Sequence, residues 1–103
     1  MDINDWNSTK KLASQFEKEK IEFDVIVANA AVGYDGGGSM PSPELAEKTL
    51  KTNVDSTIYF VNSFLPLLAK NGRVLVIASE MASLRAQPQK MRDILSNSKI
   101  SEE

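Results

Sequence analysis

Asn29, Asn53 and Ser79 are the side chains whose types and positions in this sequence point to chemistry. Asn29 lies in Phe23 to Gly33, FDVIVANAAVG, where Asp24 to Ala28 read as a short, nearly continuous apolar strand of the kind buried on both faces of a parallel sheet. The strand runs into Asn29-Ala30-Ala31 and then a glycine. Small residues with one amide among them let a backbone pass close under a flat ligand at the carboxyl end of a parallel strand, where open α/β sheets bind their ligands. Ser79 follows a second apolar run, and Asn53 sits in the helical stretch between the two runs. The chain has neither cysteine nor histidine, which excludes disulfides, thiolate or imidazole metal sites, and any Ser-His or Cys-His dyad. Each of the three residues has a plainer role open to it. A serine at a strand end is commonly a turn residue, Asn53 could face water in mid-helix, and Asn29 could cap the strand by bonding neighbouring backbone.

The elements that would position these groups can be taken in order. Asp2-Ile3-Asn4-Asp5 suggests the end of a strand turning into a helix, with Asp5 as N-cap. Leu12, Ala13 and Phe16 recur at helical spacing, and the helix should stop near Lys20. After the Asp24–Ala28 strand, the glycine cluster from Gly33 to Ser39 lacks the register of a phosphate loop and no helix starts behind it, so it reads as a mobile loop beside the ligand site. Ser42-Pro43-Glu44 is a helix start. Leu50, Val54, Ile58, Val61, Phe64, Leu65 and Leu68 follow in steps of three and four, predicting one long buried face. Pro66 should end or kink that helix about one turn before a stop at Asn71-Gly72. Arg73 to Ala78, RVLVIA, is the second strand, completing a right-handed βαβ unit with parallel strands. Beyond Ser79 the pattern dissolves, with a short helix from Gln87 to Asp93 and a frayed end.

A net charge of −2 gives no electrostatic case for nucleic acid or an anionic membrane. No apolar run approaches the roughly 20 residues that a membrane span needs, so the expected location is cytoplasmic.

Several segments, in order, resemble the short-chain dehydrogenase/reductase family. Asn29-Ala30-Ala31 is similar to its N-A-G turn, with Ala31 in the glycine's place. Lys51-Thr52-Asn53-Val54 is similar to the helix segment with the catalytic asparagine. Phe64-Leu65-Pro66-Leu67-Leu68 with Gly72-Arg73-Val74 resembles the run into the fifth strand, and Ala78-Ser79 takes the place of the pair that ends in the catalytic serine. Asp2-Ile3 is similar to the acidic strand end that meets the adenine ring. Within the family the likeness is nearest to NADPH-dependent carbonyl reductases, on the D-I-N-D opening, Ala46 to Asn53, Leu84-Arg85-Ala86 and the polar end from Ile100 to Glu103.

The resemblance implies hydride transfer from NADPH to a ketone, aldehyde or quinone in a full-length parent. Ser79 would donate a hydrogen bond to the carbonyl oxygen, Asn53 would break the helix ladder locally and hold a water of a proton relay, and Asp2, Ile3, Asn29, Ala30 and Ala31 would line the cofactor groove. The sequence contains neither the family's T-G-x-x-x-G-x-G pyrophosphate loop nor its Y-x-x-x-K pair. Residues 1–103 are therefore expected to be a partial dinucleotide-binding domain, α/β and Rossmann-like, a parallel βαβ unit with an extra N-terminal helix and a third short strand at its start. The expected partner is a small-molecule carbonyl substrate; NADP(H) belongs to the parent and is not expected to bind this chain tightly. Two rivals stand beside this reading. One is a non-catalytic truncated α/β module for binding or dimerisation, and the other is a structural α/β fragment without a function of its own.

Overall fold

The computed structural model describes residues 1–33 and 42–97. The loop expected from Tyr34 to Ser39 and the polar end beyond Asn97 lie outside the described residues.

Helix α1 spans Trp6–Lys18. The Asp5 carboxylate caps it by accepting from Ser8 N–H at 3.0 Å, satisfying one of the free amides of the first turn. Its other end is a Schellman closure. Ile21 N–H donates to Phe16 carbonyl at 2.9 Å and Lys20 N–H to Glu17 carbonyl at 3.0 Å. That closure requires a left-handed residue, and Lys20 takes the position with φ of 55° although glycine suits it best.

The strands β1 (Phe23–Ala28) and β2 (Leu68–Val76) pair in parallel and form the two-stranded sheet of the described residues. The expected third strand at Asp2-Ile3 is instead a turn, with Asp5 N–H on the Asp2 carbonyl at 3.1 Å and Asn4 N–H on the Asp2 carboxylate at 2.9 Å. Short polar side chains here give the backbone local partners, which compete with pairing in a sheet.

Between the strands runs one long helical stretch. Helix α2 spans Pro43–Leu50, capped by Ser42 with Pro43 at its first position. A π-helical segment, Lys51–Ser56, joins it to helix α3, Thr57–Phe64. The stretch then tightens into a 3₁₀ turn at Leu65–Leu67. Pro66, with no N–H to donate, ends the helix here. The chain is already extended at Leu68, so β2 begins five residues ahead of the expected Arg73. Asn71-Gly72 marks an irregularity within β2, not the helix stop. The step from Phe23 to Val25 on β1 is matched by the step from Leu68 to Arg73 on β2, and Asn71 has φ of 68° inside that bulge. A Cβ on Gly72 would meet the Ala69 carbonyl oxygen at 2.9 Å, so the bulge closes only over glycine. Past Ser79 come 3₁₀ turns at Glu80–Ala82 and Leu84–Ala86, then helix α4, Gln89–Leu95.

The core lies between α1, α3 and one face of the sheet. Ala13, Ile26, Phe64 and Leu67 are buried there, with Leu12, Phe16, Phe23, Phe60, Leu68 and Val74 packed against them. All four phenylalanines take part. Phe16 meets Phe23 edge-on at 5.4 Å, Phe23 meets Phe64 at 6.1 Å, and Phe60 lies 4.9 Å from Phe64. Two expectations of burial fail. β1 is covered on one face only: Ile26 and Ala28 are buried, while Val25 and Val27 are each 48% exposed. On the long helical stretch, Leu50, Val54, Ile58 and Leu65 are exposed, and the covered face instead runs through Thr52, Ser56, Phe60, Phe64 and Leu67. Two hydroxyls lie on the inner face because other polar groups receive them, which apolar periodicity does not register.

Two substitutions test this account by urea denaturation followed through Trp6 emission. Phe64→Ala empties the centre of the aromatic cluster and is expected to lower stability by about 3–5 kcal/mol. Lys20→Gly relieves the left-handed strain and is expected to raise it by about 1 kcal/mol.

Candidate functional site

The carboxyl ends of the two parallel strands lie side by side. Ala28 pairs with Val76, and Ile77 N–H continues the ladder onto the Ala28 carbonyl at 3.0 Å. Asn29-Ala30-Ala31 and Ser79 therefore leave the sheet at the same end. The π-helical segment reaches this end as well, because the Asn53 carboxamide forms a reciprocal pair with one residue of the post-strand loop. Its Oδ1 accepts from Val32 N–H and its Nδ2 donates to the Val32 carbonyl, both at 2.8 Å. Helical backbone is locally widened where Asn53 stands, a change of register that π-helical turns commonly make at functional sites.

A groove of about 300 Å³ opens where β1 ends, lined by Met1, Asp2, Ile3, Val27, Ala28, Asn29, Ala30 and Phe60; Asn53, Val32 and Ser79 are not among its lining residues. Four residues singled out from the sequence, Asp2, Ile3, Asn29 and Ala30, thus meet around one concavity. Its walls are apolar except at Asp2 and Asn29, and the small side chains of Ala28 and Ala30 leave room for a flat ring. Neither lysine nor arginine lines it.

Ala31 follows Ala30 and is not among the residues that line the groove. The non-glycine residues with positive φ among those described are Lys20 and Asn71, so the alanine is held without left-handed strain. Ser79 Oγ accepts from Met81 N–H at 3.1 Å and caps the Glu80–Ala82 turn. That bond uses the oxygen and leaves the hydroxyl hydrogen for an acceptor outside. Asn53 is half-buried and holds Val32 with one donor and one acceptor; it does not face water idly.

Sequence reasoning missed Asn4, Thr52, Ser56 and Val32. The signal was present only in part. Thr52 and Ser56 are hydroxyls one helical turn apart in an apolar stretch, but their partner, Asn4, is far away in sequence. Val32 contributes through its backbone, to which side-chain chemistry gives no clue. Among the described residues no cluster of acids could hold a metal ion, and no helix is long and apolar enough to cross a membrane.

The family model of the short chain dehydrogenases matches residues 1–98. This chain belongs to that family. The two-stranded parallel sheet with its crossing helix is a partial Rossmann-like unit, as the α/β pattern of the sequence predicts. The curated relatives it resembles include human carbonyl reductase (NADPH) 3, 40% identical over 86 residues that make up 84% of this chain and 31% of the relative. Human carbonyl reductase (NADPH) 1 is 36% identical over the same shares. The Bos taurus carbonyl reductase (NADPH) 1 is 30% identical over 105 residues, covering 100% of this chain and 38% of the relative. The chain thus spans about a third of the length of the relatives it matches.

Replacing Asn53 with alanine strands both the N–H and the carbonyl of Val32 in a half-buried setting. The expected loss is about 1–3 kcal/mol, measured by urea denaturation, and the Val32 amide should exchange faster with solvent.

Proposed function

We propose that this chain is the central portion of an NADPH-dependent carbonyl reductase, a cytoplasmic enzyme that reduces a ketone, aldehyde or quinone. The observation that carries this reading is the meeting of Asp2, Ile3, Asn29 and Ala30 around one groove at the carboxyl end of parallel strands. The names of the relatives supply the chemistry.

The groove fits part of the cofactor. Its apolar walls and two alanines suit the flat base and the ribose, with Asp2 and Asn29 offering polar edges. Without lysine or arginine in its lining, it has no side-chain cation for the phosphates, which a glycine-rich loop and helix N-terminus of the parent would hold. NADPH, when bound, supplies the hydride. Ser79 donates its hydroxyl hydrogen to the substrate's carbonyl oxygen, where negative charge develops. Asn53 fixes Val32, and through it the turn that follows β1, against the long helical stretch. The widened backbone around Asn53 would supply a carbonyl for the relay water, because its carboxamide is already engaged. Proton donation to the product falls to the tyrosine of the parent, with its lysine.

A second reading, a non-catalytic module for binding or dimerisation, is favoured by the exposed apolar row Leu50, Val54, Ile58 and Leu65. The two readings part in one experiment. The 103-residue chain is titrated with NADPH by cofactor fluorescence and assayed with a reactive quinone. No saturation in the micromolar range and no turnover are expected, since contacts to base and ribose alone do not offset an association cost of about 4 kcal/mol or more. In a parent chain carrying the glycine-rich loop and the Tyr-Lys pair, Ser79→Ala should lower kcat about 10²–10³-fold. A parent without turnover before any substitution would leave the binding module as the correct reading. Saturable binding by the 103 residues without turnover would favour the binding module, and turnover by the 103 residues alone would overturn both.

A further inference from the structure

We infer that Asn4 is a positioning residue for this site, holding the π-helical segment in the register that presents Asn53 to Val32. Its carboxamide oxygen accepts two hydroxyl hydrogens, from Thr52 at 3.2 Å and from Ser56 at 3.0 Å. Ser56 in turn accepts from the Trp6 indole N–H at 3.1 Å. The bonds have one direction, from Trp6 to Ser56 to Asn4 with Thr52 joining at the same atom, so both lone pairs of one oxygen are filled. Thr52 is 7% exposed and Ser56 0%, so neither hydroxyl has water as a substitute.

A π-helical turn needs such support. It holds one residue more than an α-helical turn and persists where something outside the helix compensates for it. Were Lys51–Ser56 to revert to α-helix, the backbone before it would rotate by about 100° relative to Phe60 and Phe64 in the core. Asn53 could then no longer reach Val32 while the aromatic cluster stayed packed. Asn4 prevents this by binding the two hydroxyls that bracket Asn53.

The arrangement also joins the two walls of the groove. Asn4 N–H is held by the Asp2 carboxylate at 2.9 Å, so Thr52 fastens the Asp2-Ile3 wall to the helix. Its neighbour Asn53 fastens the loop that leaves Asn29 and Ala30. Adjacent residues of one π-helical turn thereby set the distance across the groove.

The functional meaning rests on reading the groove as a cofactor site, but the test uses no cofactor and stands apart from that reading. Amide exchange is measured residue by residue on the 103-residue chain, on Asn4→Leu, Asn4→Asp and Asn53→Ala. Asn4→Leu, which cannot accept, should speed Val32 amide exchange about tenfold while the β1 amides of Ile26 and Val27 stay within about twofold. Asn4→Asp still accepts from both hydroxyls, and should keep Val32 protected and the Trp6 indole N–H resonance in place. Asn53→Ala should match Asn4→Leu at Val32. If Asn4→Leu does not fold, Thr52→Val, which removes one of the two donors, serves in its place with the same expectation. Unchanged exchange at Val32, a uniform rise across β1, or equal damage from Asn4→Asp would each overturn the assignment.

Discussion

The geometry of this chain depends on the reciprocal pair between the Asn53 carboxamide and the backbone of Val32. A strand and a crossing helix of a βαβ unit are joined by sheet pairing at one end and by loops elsewhere, which leaves the helix free to slide and turn above the strand. The Asn53–Val32 pair removes that freedom at the carboxyl end, where the groove lies. Both atoms of an amide are satisfied by both atoms of one residue, so the contact fixes orientation as well as distance. On its opposite side the same turn is held to the N-terminal segment through Thr52 and Ser56. The core contributes the remaining constraint, with Phe64 and Leu67 anchoring the far end of the helical stretch against α1 and β1.

Hydrophobic burial therefore plays an uneven part. One face of the sheet is packed by α1 and α3, but Val25, Val27 and Leu75 lie on the other face, each close to half exposed. Each exposed aliphatic side chain forgoes part of the roughly 1.5–3 kcal/mol that full burial supplies. The row Leu50, Val54, Ile58 and Leu65 forgoes the same. Small chains already bury a modest share of their surface, so stability here falls more heavily on the aromatic cluster and on the helix ends. Against that background the left-handed strain of Lys20 is a real fraction of the total.

The sequence showed elements wherever local chemistry decides them. Asp5 and Ser42 as N-caps, Pro43 at a first helical position and the apolar run of β1 all follow from nearest-neighbour effects, and all stand in the structure. Pro66 was legible as a breaker and acts where it stands; the later stop expected at Asn71-Gly72 is instead a bulge, because that pair has the look of a helix stop. The inner face of the long helical stretch was misassigned for a physical reason. Thr52 and Ser56 become core residues once Asn4 accepts their hydroxyls, and without that acceptor their burial would be costly. The groove was legible only as a set of positions at one end of the sheet. Asp2 lines it as part of a turn, not as the strand end that was expected.

This contrast bears on where such a chain can tolerate change. The groove is held by hydrogen bonds between near neighbours in space, each with fixed direction and each involving backbone or a short side chain. The uncovered sheet face and the outer helix row contribute nothing to those bonds. Substituting Val25 or Ile58 alters how much apolar surface meets water, while Asn53 still has Val32 and Asn4 still has Thr52 and Ser56. Substituting Thr52 does the reverse, since its neighbour Asn53 holds Val32 and its own hydroxyl donates to Asn4. Positions that look most hydrophobic along the helix are thus the least connected to the groove, and two unremarkable hydroxyls are the most.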